Sequence, residues 1–239
     1  MAVTAALVLA TVVIVIMGVD TTARVTMLSA TCVLIMALRL PQTVERLLAI
    51  LTVGIGGGLP FFMRLIGDYR PALMGHVKAS AAHRLELWDY MSARVMERPL
   101  AGWGLWSSRS VPIHPDELSH YIYADGVGNA SGAGMYPHNQ FMQLWVEMGA
   151  VGVFIGLTFA IVVLYKIRKL SPPLRPFGYA TYIAAITVAF SSFDITTDSW
   201  WAALAAAGFL FCVFNDKSMG QTAAAVCPPP PEPADKPAA

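Results

Sequence analysis

NQFMQLWVEMGAVGVFIGLTFAIVVLY, residues 139–165, is an uninterrupted run in which Glu147 is the sole formally charged side chain. A helix of roughly 17 to 25 mainly apolar residues crosses the hydrocarbon core of a bilayer, so the run predicts a membrane span. Similar runs occupy 3–19, 25–40, 47–66, 177–193 and 199–215. The whole chain agrees with them: of 239 residues, 56% are hydrophobic and 13% charged, the latter about half the share in an average soluble domain. The expectation is an all-α polytopic membrane protein with about six transmembrane helices. No basic residue precedes the first run, and it leads directly into further apolar segments, so it reads as a retained helix and not a cleaved signal. Gly54, Gly56, Gly57, Gly58 and Pro60 predict a kinked or irregular second half for 47–66.

A net charge of +1 offers no field to attract nucleic acid. Cys32, Cys212 and Cys227 have neither disulfide-framework nor zinc-ligand spacing. Orientation follows from Lys and Arg in short loops. Lys166, Arg168, Lys169 and Arg175 crowd one connection, expected on the cytoplasmic side together with the 39–46 turn. Counting spans from there puts the start of the second span and the long segment 67–137 outside. The organisation expected is thus three spans in 1–66, a large external loop at 67–137, and three spans in 138–215. A Pro-rich tail, 216–239, lacks apolar periodicity and is expected to be disordered in the cytoplasm.

The external segment carries 13 of the 31 charged side chains. Four of the five histidines, His76, His83, His114 and His120, lie in it, and His138 lies just beyond. Between Ser80 and Pro99, Leu85, Trp88, Met91 or Ser92, and Val95 recur at helical spacing, predicting an amphipathic helix over 81–98 along the membrane surface. Arg84 and Trp88 are four apart and share a face, where a guanidinium beside an interfacial Trp either holds a phosphate at head-group level or merely snorkels. Gly102 and Gly104, among Trp103 and Trp106, predict a tight turn. Residues 107–136, rich in Pro, Gly, Ser, Asn and Asp, predict a mobile loop in which His114 and His120 are solvated or structural.

Asn139, Gln143 and Glu147 repeat every four positions and line one stripe of the opening span, a stripe that has to face protein or a wet cavity. Gly149 and Gly152 allow close helix approach. His138 follows Pro137 near the first turn. Imidazole titrates near neutrality, which makes His138 the best general-base candidate, against the alternative of a helix-entry histidine that bonds backbone. Arg24, at the outer start of the second span, is expected on the same face as Arg84 and His138. Two guanidiniums near a histidine suit a diphosphate leaving group, because Arg stays charged and offers forked donors to phosphate oxygens. Pairing with Asp20 is the structural alternative for Arg24.

These residues resemble the O-antigen ligase and polymerase superfamily of bacterial envelope glycosyltransferases. In that family a His followed by Asn, Ser or Gln, nine residues, then Gly-x-x-Gly opens a helix, and His138, Asn139, Gly149 and Gly152 fit without a gap. Arg84, three residues, Trp88, and then Pro99 to Gly104 look like the start of the family's large periplasmic loop. The resemblance implies an enzyme without metal or cofactor that moves a glycan from undecaprenyl diphosphate to an acceptor sugar hydroxyl. In ligases the acceptor is the lipid A core, and transfer takes place at the periplasmic face of the bacterial inner membrane during lipopolysaccharide assembly. It implies His138 as the base, Arg84 and Arg24 as the groups that bind the diphosphate, and inversion at the anomeric centre. Trp88, Asn139, Gln143 and Glu147 are the expected substrate-binding residues. Partners are then the lipid-linked glycan, the acceptor glycolipid and membrane lipids, without nucleic acid.

Full-length members of that superfamily have more spans than this chain, so a C-terminal piece, a mis-assigned start or a shortened homologue is expected. Three other readings stay open. One is the polymerase of the same superfamily, which joins repeat units while both remain lipid-linked. Another is a transporter or channel whose path Asn139, Gln143 and Glu147 would line. The third is a non-catalytic fragment or scaffold.

Overall fold

The computed structural model describes residues 9, 11–13, 21–67, 72, 76–77, 79–111, 137–191 and 196–226. Over these residues the chain is helical, without a strand. The elements are α1 (Thr21–Ala37), α2 (Pro41–Leu65), α3 (Ala79–Glu97), a 3-10 turn (Ser107–Arg109), α4 (Gln140–Arg168), α5 (Arg175–Ser191) and α6 (Asp198–Val226). Among the described residues three helices are long and apolar enough to cross a membrane: Pro41–Leu65, Gln140–Arg168 and Asp198–Asn215. At 17 residues each, α1 and α5 stand at the lower edge of the spanning length. Most of the first expected span, 3–19, lies outside the described residues, so six spans are not what this structure displays.

Local chemistry sets the boundaries. Pro41 opens α2 at a position where its missing N–H and fixed φ carry no penalty. Contrary to expectation, α2 stays helical through its glycines and Pro60 to Leu65. Pro60 has no N–H to give the carbonyl four residues earlier, that of Gly56. The Trp145 indole Nε1 donates to that carbonyl instead, at 3.0 Å. At the other end of the chain, α6 runs on to Val226, into the stretch expected to be disordered. The Ala223–Ala225 run favours helix, and the helix stops short of Pro228. Residues 227–239 lie outside the described residues.

Two of three buried clusters among the described residues join the most helices. In one, Ala37, Val44, Leu48, Leu164, Tyr179 and Tyr182 pack α1 and α2 against α4 and α5. Nearby, Arg168 pairs with Glu45 at 3.7 Å, and the Tyr179 hydroxyl donates to Glu45 Oε2 at 3.2 Å. The two basic connections, 39–46 and 166–175, therefore sit together at one end of the bundle. In the other cluster, Leu59, Met63, Leu87, Met91, Val95, Met142 and Val146 join α2, α3 and α4.

α3 coincides with the amphipathic helix expected over 81–98, and much of it is packed into the core. Met91 and Val95 are 1% and 0% exposed, and so are the polar Arg94 at 1% and Ser92 at 0%. Glu86 and Asp89 are buried as well. The apolar periodicity marked too narrow a face because polar side chains share the buried side. α1 and α5 run antiparallel: the Ser29 and Thr187 hydroxyls are 3.3 Å apart, while Leu34 and Ala180 share a cluster.

Candidate active site

α4 is not one rod. At Gly149 the backbone takes φ 62° and ψ −152°, a region open in practice to glycine alone. Residues 140–148 fold back there against the residues that follow. A straight helix would hold residues 141 and 156 about 22 Å apart. Here a Cβ on Gly156 would lie 2.6 Å from Leu144 Cδ1 and 3.9 Å from the Phe141 ring. A Cβ on Gly152 would fall 3.1 Å from the Leu144 carbonyl oxygen. Of the two motif glycines, then, Gly149 makes the bend and Gly152 lets the two arms meet. Asn139, Gln143 and Glu147 consequently belong to a short entry arm, which corrects the expectation of one continuous span over 139–165.

A break in a helix orphans backbone groups on both sides, and buried ones require partners. The loop after α3 supplies them. The amides of Trp103 and Gly104 donate to the carbonyls of Val146 and Glu147 at 2.8 and 2.9 Å, and the amides of Ala150 and Val151 donate to those of Pro99 and Leu100 at 2.8 and 3.5 Å. Two backbones must touch for this to happen. A Cβ on Gly102 (φ 67°) would fall 2.5 Å from the Glu147 carbonyl carbon, and one on Gly149 equally close to that of Leu100. Trp103 anchors the loop, its indole donating to the Arg94 carbonyl at 2.9 Å with the Arg98 guanidinium 4.2 Å from its ring centre.

The same packing positions the candidate residues. The Trp88 indole donates to the Pro137 carbonyl at 2.7 Å, so α3 holds the residue before His138, with Arg84 one turn earlier, about 6 Å along the axis. His138 has φ 48°, a left-handed conformation that costs about 1–3 kcal/mol and clusters at functional sites. Asn139 caps α4, its Oδ1 accepting from the Met142 amide at 3.0 Å. The Phe141 ring stacks on Phe190 in the last turn of α5, centroids 4.9 Å apart. Because α1 runs antiparallel to α5, Arg24 at the start of α1 lies at that end too. The ends of α1, α3 and α4 that carry Arg24, Arg84 and His138 are thus gathered on one side of the bundle. Arg84 makes no hydrogen bond or ion pair with another described residue. Arg24 Nε is buried without a hydrogen-bond partner among the described residues. Asp20, His114 and His120 lie outside the described residues.

Gln143 and Glu147 are sealed from solvent. Glu147 Oε1 accepts from the Ser108 hydroxyl at 2.5 Å and from Gln143 Nε2 at 3.1 Å. The two side chains close on each other and on the loop. Sequence reasoning missed Ser108, which no local pattern marks, and Gln140, which stands inside the motif beside Asn139. It also missed the pairing of Arg64 with Asp89 at 3.2 Å. Among the described residues no three His, Cys, Asp or Glu side chains gather to hold a metal ion.

The family model described as O-Antigen ligase matches residues 5–157. A Rickettsia conorii protein named as a candidate polysaccharide ligase is 28% identical over 123 residues, 51% of this chain and 29% of that protein. Similarly named proteins of Rickettsia felis and Rickettsia typhi are each 26% identical, over 123 and 125 residues. The matched region thus spans less than a third of those relatives' length. No solved structure matches the chain. With more than half of its residues matched by the family model and three helices of spanning length, this membrane protein belongs to the O-antigen ligase family.

Proposed function

We propose that this chain forms the transfer site of an O-antigen ligase, in which a glycan passes from undecaprenyl diphosphate to a hydroxyl of the lipid A core at the periplasmic face of the inner membrane. His138 takes the proton of the acceptor hydroxyl. The resulting oxygen attacks the anomeric carbon from the side opposite the diphosphate, the bond from that carbon to the phosphate oxygen breaks, and its electron pair leaves with the diphosphate. The configuration inverts in one displacement, without a covalent enzyme intermediate. Arg84 and Arg24 stabilise the charge that grows on the departing phosphate, an electrostatic contribution that is strongest in a site shielded from water. Trp88 and Asn139 set the position of His138, one through Pro137 and the other through the cap. Gln143 and Glu147, tied to Ser108, support the entry arm from beneath.

The observation that carries this reading is the convergence of three helix ends bearing one imidazole and two guanidiniums, with Arg84 uncommitted to any described partner. The test uses the chain in proteoliposomes with a lipid-linked glycan and a lipid A core acceptor. His138→Ala is expected to slow transfer by roughly 10²–10⁴, the usual contribution of a general base. A His138→Ala protein of normal abundance that still transfers glycan would overturn the assignment. Repeat units joined to one another while still lipid-linked, instead of glycan on the core, would assign the polymerase reaction.

A further inference from the structure

The loop that joins α3 to the 3-10 turn is bonded to the bend of α4, and it exposes apolar side chains where a loop in water carries polar ones. Leu100, Leu105 and Trp106 are 74%, 69% and 57% exposed. Large apolar groups gathered on a surface mark a contact with protein or membrane. Trp106 also stands at φ 67°, a left-handed conformation that glycine and asparagine adopt easily and a bulky residue rarely does. An indole kept exposed at such a position points to a contact outside the fold.

Depth identifies that contact. Beyond the bend, α4 runs from Ala150 to Arg168, which is about 27 Å at the rise of an α-helix and close to the roughly 30 Å of a bilayer's hydrocarbon core. Along this arm Val151, Phe154, Ile155, Phe159 and Val162 are all exposed, the surface a span presents to lipid. With Lys166, Arg168 and Lys169 at one interface, the bend lies at the other. The Val151 amide donates to the Leu100 carbonyl, so the exposed hydrocarbon of the span continues directly onto the loop. Cations border it: the Arg98 guanidinium lies 4.2 Å from the Trp103 ring centre, and that of Arg109 lies 5.6 Å from the Trp106 ring centre. Indoles settle at the boundary between acyl chains and head groups, and guanidiniums bind phosphate there.

We propose that residues 100–106 form a membrane hook. Leu100, Leu105 and Trp106 enter the acyl chains of the leaflet at the bend, and Arg98 and Arg109 engage the head-group phosphates of the surrounding phospholipid. Through the bonds of Trp103 and Gly104 to the bend, the hook holds α3 and the entry arm at a fixed depth. It concerns bulk lipid and stands apart from the transfer reaction.

The test uses the full chain in vesicles of phosphatidylethanolamine and phosphatidylglycerol, with Cys32, Cys212 and Cys227 changed to serine. A nitroxide on Leu105→Cys is expected to meet dissolved oxygen more readily than a water-soluble nickel chelate. One on Ile50→Cys, exposed inside the spanning helix α2, gives the reference for a lipid-embedded site. A label at 105 that the nickel chelate reaches more readily puts the loop in water, and one that neither reagent reaches puts protein over it; either result overturns the proposal. Should the labelled chain not fold, tryptophan emission supplies a second measurement. The difference between wild type and Trp106→Phe is the share of Trp106, and in vesicles of brominated phospholipid that share should be largely quenched. Its survival there would overturn the hook.

Discussion

Adding a single methyl group at Gly149 should undo the joint between the bent helix and the loop after α3. Gly149→Ala forces a Cβ to within 2.5 Å of the Leu100 carbonyl carbon, which is backbone and cannot rotate away. The conformation at φ 62°, ψ −152° costs a non-glycine residue about 1–3 kcal/mol. Separating the backbones also loses the amide bonds made by Trp103, Gly104 and Ala150, each worth roughly 1 kcal/mol net and more when the groups stay buried. The sum is about 5 kcal/mol, at the upper end for one substitution. At about 2–4 °C per kcal/mol for a chain of this size, melting followed by circular dichroism in detergent should fall by roughly 10–20 °C. Gly102→Ala acts on the facing loop of the same joint, so the double variant should cost clearly less than the sum of the singles. Gly104→Ala, with φ 102° but open space around a Cβ, should lose only the strain. Gly54→Ala, inside α2 with nothing near, should be neutral or stabilising by up to about 1 kcal/mol. A Gly149→Ala protein that melts within a degree or two of wild type would refute the joint.

Trp145→Phe should destabilise by about 1–3 kcal/mol because it strips the donor from the Gly56 carbonyl that Pro60 leaves bare; in a Pro60→Ala background, where a backbone N–H returns, a melting-temperature double-mutant cycle should show that cost shrinking. Ser108→Ala removes one of the two donors on the buried Glu147 carboxylate, and chemical denaturation should read a loss of about 1.5–3 kcal/mol. Tyr182→Phe breaks the 3.0 Å bond with Thr52 and should cost only about 0.5–1.5 kcal/mol. Arg84→Gln should leave melting nearly unchanged, since no described group depends on it, while glycan transfer in proteoliposomes falls by about 10²-fold or more; unimpaired transfer would remove Arg84 from the site.

Apolar runs, the basic loops, the helix ended by Pro99 and the spacing from His138 to Gly152 were all legible in the chain itself, because each is a local pattern of burial, charge or backbone freedom. The expectation that Arg24, Arg84 and His138 share one side rests on counting crossings. The bend at Gly149 was not legible. A glycine in an apolar run permits a helix and permits a break, and hydrophobicity is blind to that choice. It is settled by the 99–104 loop, which lies about 50 residues earlier and supplies the hydrogen bonds a broken helix needs. The inward turn of Glu86, Asp89 and Arg94 escaped the periodicity for a related reason, since polar side chains are buried only where distant partners receive them. Local sequence sets which surfaces must leave water; long-range packing alone decides which backbone groups may be orphaned, because their partners arrive from another part of the chain.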